Sequence, residues 1–286
     1  QTSLQENTQT AGQSTAQDAV NSNSVDDPEQ LTPWRIYFAG GLLPDLSGFA
    51  LKIGAYQKLD NQIDSTYWRW GAGIFASRYL KSELYLTRSF NPFIKARLQY
   101  ETWLWPAIFE GRGIGLSFSQ ANDNFDSATL IARSGEEEFQ FGHALRLRPT
   151  WLYETKTWFF ANEFDMRTWF IPGTKSFWYD VSYHTLIRRG EIDFTINNRP
   201  WAFYKVWKGN EGQERLWLGA LHQFTWALAS NIMRHRLGFA FIFRPFERIG
   251  SFPGLTLFGI GGINLADRHR QNQLWGAMLI LREFEF

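Results

Sequence analysis

The sequence predicts an all-β fold, a transmembrane antiparallel up-and-down β-barrel of about twelve strands, with fourteen possible. Apolar and polar residues alternate along most of the chain, which is the pattern of strands with two unlike faces. No run approaches the roughly 18 apolar residues that a membrane helix needs, so any crossing must use strands. Aromatic residues make up 17% of the chain, yet the mean hydropathy is −0.32, as expected when half of each strand is polar.

Residues 1–33 differ from the rest and are predicted to be a disordered, acidic, polar tail that precedes a barrel over residues 34–286. They are rich in Gln, Ser, Thr, Asn and Asp, and they contain five acidic residues but no Lys or Arg. Too few apolar side chains are present to order the segment by burial. The formal net charge is +1, so the remainder carries +6 without the tail's five acidic residues. Because the chain begins at Gln1, we interpret it as a mature sequence whose signal peptide has been removed.

Alternating segments follow one another from Trp34 to the end of the chain, and about fourteen or fifteen of them are candidate strands. Barrels of a single bacterial chain prefer an even number of strands, and we favour twelve because two early segments are short and could merge. The segment from Ala128 to Arg133 has no clear facing, and no stretch has a convincing helical period. This assignment makes nearly every connection short.

The hairpin from Glu138 to Ile171 has the clearest two-faced pattern. If its turn comprises residues 154–157, Arg146 faces Asp165 and Arg148 faces Glu163. Opposite charges directly across a ladder contribute from a few tenths to about 1 kcal/mol each. Aromatic residues crowd the turn, as in the belt that membrane proteins place at the lipid–water interface. These residues are Trp151, Tyr153, Trp158 and Phe160.

The last stretch, Gln271 to Phe286, has an apolar face and ends on Phe286. It resembles the C-terminal strand of Gram-negative outer-membrane β-barrels. The resemblance implies that this strand closes the barrel against the first strand and is recognised by the barrel-assembly machinery. It further implies outer-membrane lipid around the protein and a location in the cell outer membrane of a Gram-negative bacterium. A soluble β-sandwich is the rival fold, but it does not need long aromatic faces on almost every strand.

The inward faces of the predicted strands carry more basic than acidic side chains. A cavity lined by one sign of charge concentrates ions of the opposite sign, so the pattern favours a passive channel or binding lumen for small anionic solutes. The candidate anion contacts are Arg234, Arg236, Arg244, Arg146 and Arg148. The same ion pairs would also hold together a filled barrel. The first alternative is therefore a structural or assembly barrel with a plugged lumen and a protein partner.

A second alternative is an outer-membrane lipid hydrolase that uses Ser182 and His184. Asp180, Ser182 and His184 alternate on one predicted strand face, and Ser and His side chains two residues apart can approach each other. The spacing is similar to that of outer-membrane phospholipase A. In that family, however, His precedes Ser and the face meets lipid. The sequence favours a protein without enzymatic activity.

Other chemistry has little support in the sequence. There is no Cys, and the five His residues lack the spacing of a zinc site. Basic residues lie on strand faces rather than in a patch with stacking aromatic residues, so no nucleic-acid partner is expected. We therefore expect no metal and no cofactor.

A membrane barrel of this kind predicts heat-modifiable migration on a detergent gel. Detergent-solubilised protein should run at one position without heating and at another after boiling, because a closed barrel resists unfolding by detergent alone. Electrophoresis of matched heated and unheated samples measures this. A fully water-soluble monomer would contradict the membrane assignment.

Overall fold

The computed structural model describes residues 34–43, 48–59, 66–107, 114–174, 176–180, 183–209, 214–249, 252–267 and 274–285. Within these ranges there are fifteen strands and one helix. The elements, in chain order, are β1 (Arg35–Leu43), β2 (Gly48–Lys58), β3 (Tyr67–Ala76), β4 (Leu80–Asn91), β5 (Ile94–Trp105), β6 (Ser117–Phe118), α1 (Ser127–Ala132), β7 (Gln140–Glu154), β8 (Trp158–Phe170), β9 (Phe177–Asp180), β10 (Thr185–Arg188), β11 (Ile192–Lys208), β12 (Glu214–Ala227), β13 (Ile232–Ile249), β14 (Phe252–Asp267) and β15 (Leu274–Glu285).

Twelve of these strands form one closed antiparallel barrel, as the sequence predicts. The order around the barrel is β1, β2, β3, β4, β5, β7, β8, β11, β12, β13, β14 and β15. The last strand pairs with the first, from Arg35 opposite Glu285 to Leu42 opposite Met278. The C-terminal strand therefore closes the barrel, and closure leaves no edge with unpaired backbone groups. The predicted tail at residues 1–33 and Phe286 lie outside the described residues.

The other three strands form a separate sheet in the order β10, β9, β6. They belong to two long connections, β5 to β7 and β8 to β11, which we call together the insert (residues 114–139 and 171–191). The prediction that nearly every connection is short is wrong here, and so is the assignment of the segment from Phe177 to barrel wall. Tyr179, Leu186 and Ile187 are fully buried rather than facing lipid. The twelve-strand count is correct, but because these segments leave the wall and not because early strands merge.

The segment without clear facing contains the short helix α1. Asp126 caps its first turn, and the Asp126 Oδ1 atom accepts a hydrogen bond from the Thr129 backbone N at 2.8 Å. Leu130 is its buried residue. Six residues with one buried position are too few to give a visible helical period, which is why the sequence does not predict this helix.

The predicted register of the β7–β8 hairpin is wrong by two residues. Arg146 lies opposite Arg167, not Asp165, and Thr150 lies opposite Glu163. The turn is tighter than predicted, because the Thr155 backbone N donates to the Trp158 carbonyl O at 2.8 Å. A shift of two residues keeps every side chain on its predicted face, so the apolar and charged faces are correct.

The outer wall of the barrel is predominantly apolar, whereas most of the charged side chains on the wall strands point inward. Phe49 and Ile74 are each 61% exposed on the outside. The predicted aromatic belt surrounds the β7–β8 turn, where the ring centroids of Trp158 and Phe160 are 5.8 Å apart and those of Trp158 and Tyr204 are 5.1 Å apart. Such a surface is stable against lipid. Among the described residues, no helix is long and apolar enough to span a membrane.

The two ends of the barrel differ in their connections. The end that holds Arg35 and Glu285, here the terminal end, has the short β4–β5 and β7–β8 turns. The opposite end, here the insert end, has both long connections. Short turns at one end and long loops at the other are typical of outer-membrane barrels, in which the long loops face outward from the cell.

Inside the first strands, glycines make room for tyrosine rings. A Cβ atom at Gly54 would clash with the ring of Tyr37 and would lie 2.7 Å from the backbone O of Ala72. Tyr37 is buried, and its ring lies 5.4 Å from the Nζ atom of Lys52. The missing side chain at Gly54 therefore lets Tyr37 fill the lumen beside the next strand.

Replacing Gly54 with Ala should destabilise the barrel by about 1–3 kcal/mol, because the added methyl overlaps a backbone atom that cannot move aside. The measurement is the temperature at which the folded gel band is lost. Gly261→Ala is the matched control, since a Cβ atom there would approach no described residue more closely than the Trp275 backbone O, at 3.7 Å. Equal stability of the two variants would show that Gly54 is not needed for this packing.

Candidate functional site in the barrel lumen

The lumen is filled with buried charged side chains, and basic ones outnumber acidic ones among the described residues. Such groups are rarely buried unless they are paired. Twelve buried basic residues are Lys52, Arg69, Lys81, Lys95, Arg97, Arg146, Arg148, Arg167, Arg199, Lys205, Arg234 and Arg236. Eight buried acidic residues are Glu83, Glu101, Glu163, Asp165, Asp180, Asp193, Glu214 and Asp267.

Glu101 is the centre of an ion-pair network that joins four consecutive strands, β4, β5, β7 and β8. It lies on β5, and its carboxylate is 3.4 Å from Lys81 Nζ, from Arg146 Nη1 and from Arg167 Nε. Arg146 also donates its Nε–H to both carboxylate oxygens of Asp165 at 2.8 Å. The predicted pairing of Arg146 with Asp165 is therefore present, although it runs diagonally across the ladder.

Two further networks lie on either side of this centre. Glu83 on β4 is 2.8 Å from Lys52 Nζ and 3.2 Å from Lys81 Nζ, which links β2 and β4 across the lumen side of β3. Towards the terminal end, Lys205 on β11 contacts Glu154 and lies 2.8 Å from Glu214. The barrel wall is thus cross-linked inside by charges as well as by its backbone ladder.

At the terminal end the same interior becomes aromatic. Trp201 stacks on Phe203 with ring centroids 5.7 Å apart, and Trp201 also meets Phe258 at 6.1 Å. Phe159 and Trp217 are 5.4 Å apart. Trp201 lies on β11 and Phe258 on β14, so their contact crosses a chord of the barrel rather than joining neighbouring strands.

The insert is packed against a wall of tryptophans at the other end. Trp105 on β5 meets Trp178 of the insert at 5.4 Å, and Trp103 meets Trp169 on β8 at 5.3 Å. Trp103, Trp105, Trp169 and Trp178 are fully buried. This contact holds the three-stranded sheet inside the barrel mouth.

Tyr183 is the residue of the insert that contacts the charged network in the lumen. Burial raises the pKa of its hydroxyl above the ordinary value, so the hydroxyl stays protonated and donates to Asp165 Oδ2 at 3.0 Å. Its carbonyl O accepts a hydrogen bond from Arg234 on β13. The guanidinium of Arg167 lies 5.0 Å from the Tyr183 ring centroid. One residue of the insert therefore contacts β8 and β13, two strands that are not neighbours.

Arg189 ties the two long connections to each other. Its Nη1 atom contacts Ser117 Oγ and lies 3.3 Å from Glu138 Oε2, both in the first connection. Its Nε–H donates to the Pro172 carbonyl at 3.3 Å in the second connection. The guanidinium also lies 5.3 Å from the Trp178 ring centroid. The insert is consequently one packed unit rather than two independent loops.

The predicted anion contacts all lie on the inner wall strands, but their surroundings differ. Arg146 is engaged by Asp165 and Glu101. Arg234 lies 2.8 Å from Asp267 Oδ2, and Arg236 donates its Nε–H to Asn264 Oδ1 at 2.9 Å. Arg148 is fully buried beside Arg146 on β7. Arg244 is half-buried at the terminal end, with its guanidinium 5.2 Å from the Trp217 ring centroid.

The sequence analysis did not identify several of the lumen charges, Lys81 and Asp267 among them. Lys81 is one that period two could have found, since it lies two residues before Glu83 and shares its face. Asp267 could not have been found by this alternation, because the pairing register of β14 shifts between His235 and Arg236 on its partner strand β13. The resulting bulge turns both Asn264 and Asp267 inward, three residues apart. A regular strand would point residues three apart to opposite faces, so alternation alone predicts that either Asn264 or Asp267 faces outward.

Asp180 and His184 of the hydrolase alternative lie in the insert, not on a barrel strand. Ser182 lies outside the described residues, so its hydrolase role stays a prediction. Asp180 and His184 are buried, and the His184 Nδ1 atom is 2.5 Å from the Tyr179 hydroxyl. His184 has a φ of 48°, in the left-handed region, where it turns the chain at the inner tip of the insert. No group of three His, Cys, Asp or Glu side chains among the described residues could hold a metal.

Arg146→Met should destabilise the folded barrel by about 3–5 kcal/mol, because Asp165 and Glu101 would stay buried with less compensation. Denaturant titration of the folded gel band in detergent measures the change. Arg188→Met is the matched control. Its partner Glu191 is 3.1 Å away and both side chains are about 40% exposed, so we expect about 1 kcal/mol or less. Similar losses in both variants would contradict a structural role for the central network.

No protein-family model and no curated protein matches the chain. Among solved structures, the chain is similar to the β domain of the Bordetella autotransporter Brka, with a TM-score of 0.53, 11% identity, and coverage of 90% of this chain and 100% of that one. It is also similar to an outer-membrane channel from Pseudomonas putida F1, with a TM-score of 0.44, 11% identity, and coverage of 93% and 100%. It is similar as well to the translocator domain of the autotransporter NalP from Neisseria meningitidis, with a TM-score of 0.43, 10% identity, and coverage of 90% of each chain.

At these identities the similarity establishes the fold alone, and only the first of the three structures has a TM-score above 0.5. That fold is a Gram-negative outer-membrane β-barrel, as the C-terminal strand predicts. Together with the apolar outer wall and the aromatic belt, it confirms the predicted localisation in the cell outer membrane.

Proposed function

We propose that this barrel is a gated outer-membrane channel for small anionic solutes, closed by its insert in the conformation described above. The observation that supports an anion preference most directly is the excess of basic over acidic side chains buried in the lumen. Rings of Arg and Lys select for anions in pores, and a basic lumen raises the local concentration of anions.

The insert is the element that would have to move. Its long connections lie at the end opposite Arg35 and Glu285, which corresponds to the outward-facing end of barrels with this loop pattern. Withdrawal of Tyr183 would release the Arg234 donor that its carbonyl now binds, and would uncover Arg167 and Asp165. The anion contacts proposed for the open state are therefore Arg234, Arg236 and Arg148.

Arg244 is the proposed contact at the other mouth. It is half-buried at the terminal end of β13, and its Nε atom has no hydrogen-bond partner among the described residues. Its planar face lies against Trp217, which holds it in place while leaving donors for a solute. Arg146 fits an open-state contact less well, because Asp165 and Glu101 already use it.

A structural or assembly barrel with a plugged lumen and a protein partner is the second candidate. The packing of the insert on Trp103, Trp105 and Trp169 favours it, since a permanently plugged barrel needs a close fit of this kind. The hydrolase alternative has no comparable support. Under either candidate, we propose that the barrel-assembly machinery recognises the C-terminal strand that ends at Phe286.

Planar-bilayer conductance distinguishes the channel from the plugged barrel. The unaltered protein should show low or intermittent conductance, whereas Tyr183→Ala should raise the steady conductance because it removes the hydroxyl and the ring that hold the insert on Asp165 and Arg167. Under a KCl gradient, the reversal potential should lie towards the chloride equilibrium potential. Arg244→Glu in the same background should move it back towards that of potassium.

Tyr153→Ala is the matched control, since Tyr153 lies on the outer wall and its loss leaves the lumen unchanged. A Tyr183→Ala variant that folds but conducts no more than this control would favour the plugged barrel. A cation-selective current would contradict the anion preference while leaving the channel in place.

A further inference from the structure

The outer wall of the barrel carries polar side chains where lipid would be expected to meet only apolar ones. Four of them form an oblique stripe across neighbouring strands, and we call this the polar stripe: Asn162 on β8, Asn198 on β11, His222 on β12 and His235 on β13. Phe224 is paired with Asn198 on one side and with His235 on the other, so Asn198 and His235 lie at the same level on either side of its ring.

The polar stripe crosses the apolar band rather than lying at its margins. Asn198 is midway between Ile192 and Tyr204, and the Tyr204 ring belongs to the aromatic belt at the terminal end. Asn162, Asn198 and His222 lie at least four residues from either end of their strands, whereas His235 lies within three residues of a strand end, as Gln57, Ser82 and Arg88 do on other strands. Polar groups at membrane depth are costly and usually face protein or water rather than lipid.

The hydrogen-bonding groups of the stripe are incompletely used within the chain. The Oδ1 atoms of Asn162 and Asn198 have no hydrogen-bond partner in the described structure and are enclosed by the chain itself, so each amide must turn about its side-chain bonds to present this oxygen to another surface. His222 Nε2 and His235 Nδ1 lie 3.2 Å apart, which leaves the other nitrogen of each ring for a further contact. In hydrocarbon such groups are satisfied by another protein surface, since lipid tails offer no donor or acceptor.

Small side chains beside the polar stripe leave room for another protein backbone to come close to the barrel wall. Ala202 is paired with Ala220, and this small pair lies between the larger Phe160 and Phe239 on the flanking strands. Pro200 lies opposite Asn162 on the same outer surface, although proline is rare inside a central strand because it removes a ladder donor. Small side chains are what membrane-embedded protein contacts use to bring backbones together.

We propose that the polar stripe and the small pair beside it form an interface with a second copy of this chain in the membrane. A two-fold interface requires a surface that is complementary to itself. Amide groups and neutral imidazoles each carry both a donor and an acceptor, so Asn162, Asn198 and the His pair can bond to the same residues of a second copy. The stripe carries no Asp, Glu, Lys or Arg, so two copies meet without like-charge repulsion.

Single cysteines test the interface cleanly because the chain has none of its own. Ala220→Cys and Ala202→Cys leave the stripe intact and place a thiol beside it. Ile53→Cys is the matched control, since Ile53 is exposed on the outer face of β2, across the barrel from β11. Each variant is oxidised with copper phenanthroline in isolated outer membranes, where all copies share one orientation, and is then separated on a non-reducing gel.

The expected result is a cross-linked homodimer for at least one alanine position and only background dimer for Ile53→Cys. Adding Asn162→Leu and Asn198→Leu to the cross-linking variant should reduce the dimer to the control level while the barrel keeps its heat-modifiable gel shift. Background cross-linking at both alanine positions would overturn the proposal. So would a cross-link to a different protein identified by mass spectrometry, or a dimer unaffected by the two Leu substitutions.

Discussion

The whole structure depends on the pairing of every wall strand with two neighbours, because unpaired backbone groups in hydrocarbon cost several kcal/mol each. The contact between β1 and β15 satisfies this requirement for the first and last strands. Once the wall is closed, alternate side chains must point inward, and the enclosed volume must be filled. The buried ion pairs, the aromatic cluster around Trp201 and the insert are three ways in which this chain fills the same space.

The charged interior also sets where the barrel is rigid. Glu101 binds basic side chains from strands on both sides, and Asp165 binds Arg146. Arg97 and Arg148 lie directly opposite each other, as do Arg146 and Arg167. Directly opposed like charges weaken a ladder unless nearby carboxylates compensate. The buried carboxylates therefore offset the repulsion between these arginines, and without them so many guanidinium groups could not be packed together in the lumen.

Much of the wall could be predicted from sequence because period-two alternation is a local signal. Phe49, Ile74 and Leu84 face outward as their spacing implies. The insert could not be predicted in this way, since Ile114, Leu116 and Phe118 alternate as a wall strand does but are fully or almost fully buried inside. Alternation reports that a face is apolar, not whether lipid or protein covers it. The inward position of Asp267 could not be predicted for another reason, because a β-bulge interrupts the two-residue alternation of its strand.

The way the insert is built limits how it can move. Its sheet takes β6 from the β5–β7 connection and β9 and β10 from the β8–β11 connection, so four barrel strands anchor a single body. A body held at four points swings on its attachments and stays close to the mouth. A single proteolytic cut in one connection would remove one of these four attachments, and one cut in each connection would still leave two. The sheet would therefore stay at the mouth until both connections are cut on both sides of its strands.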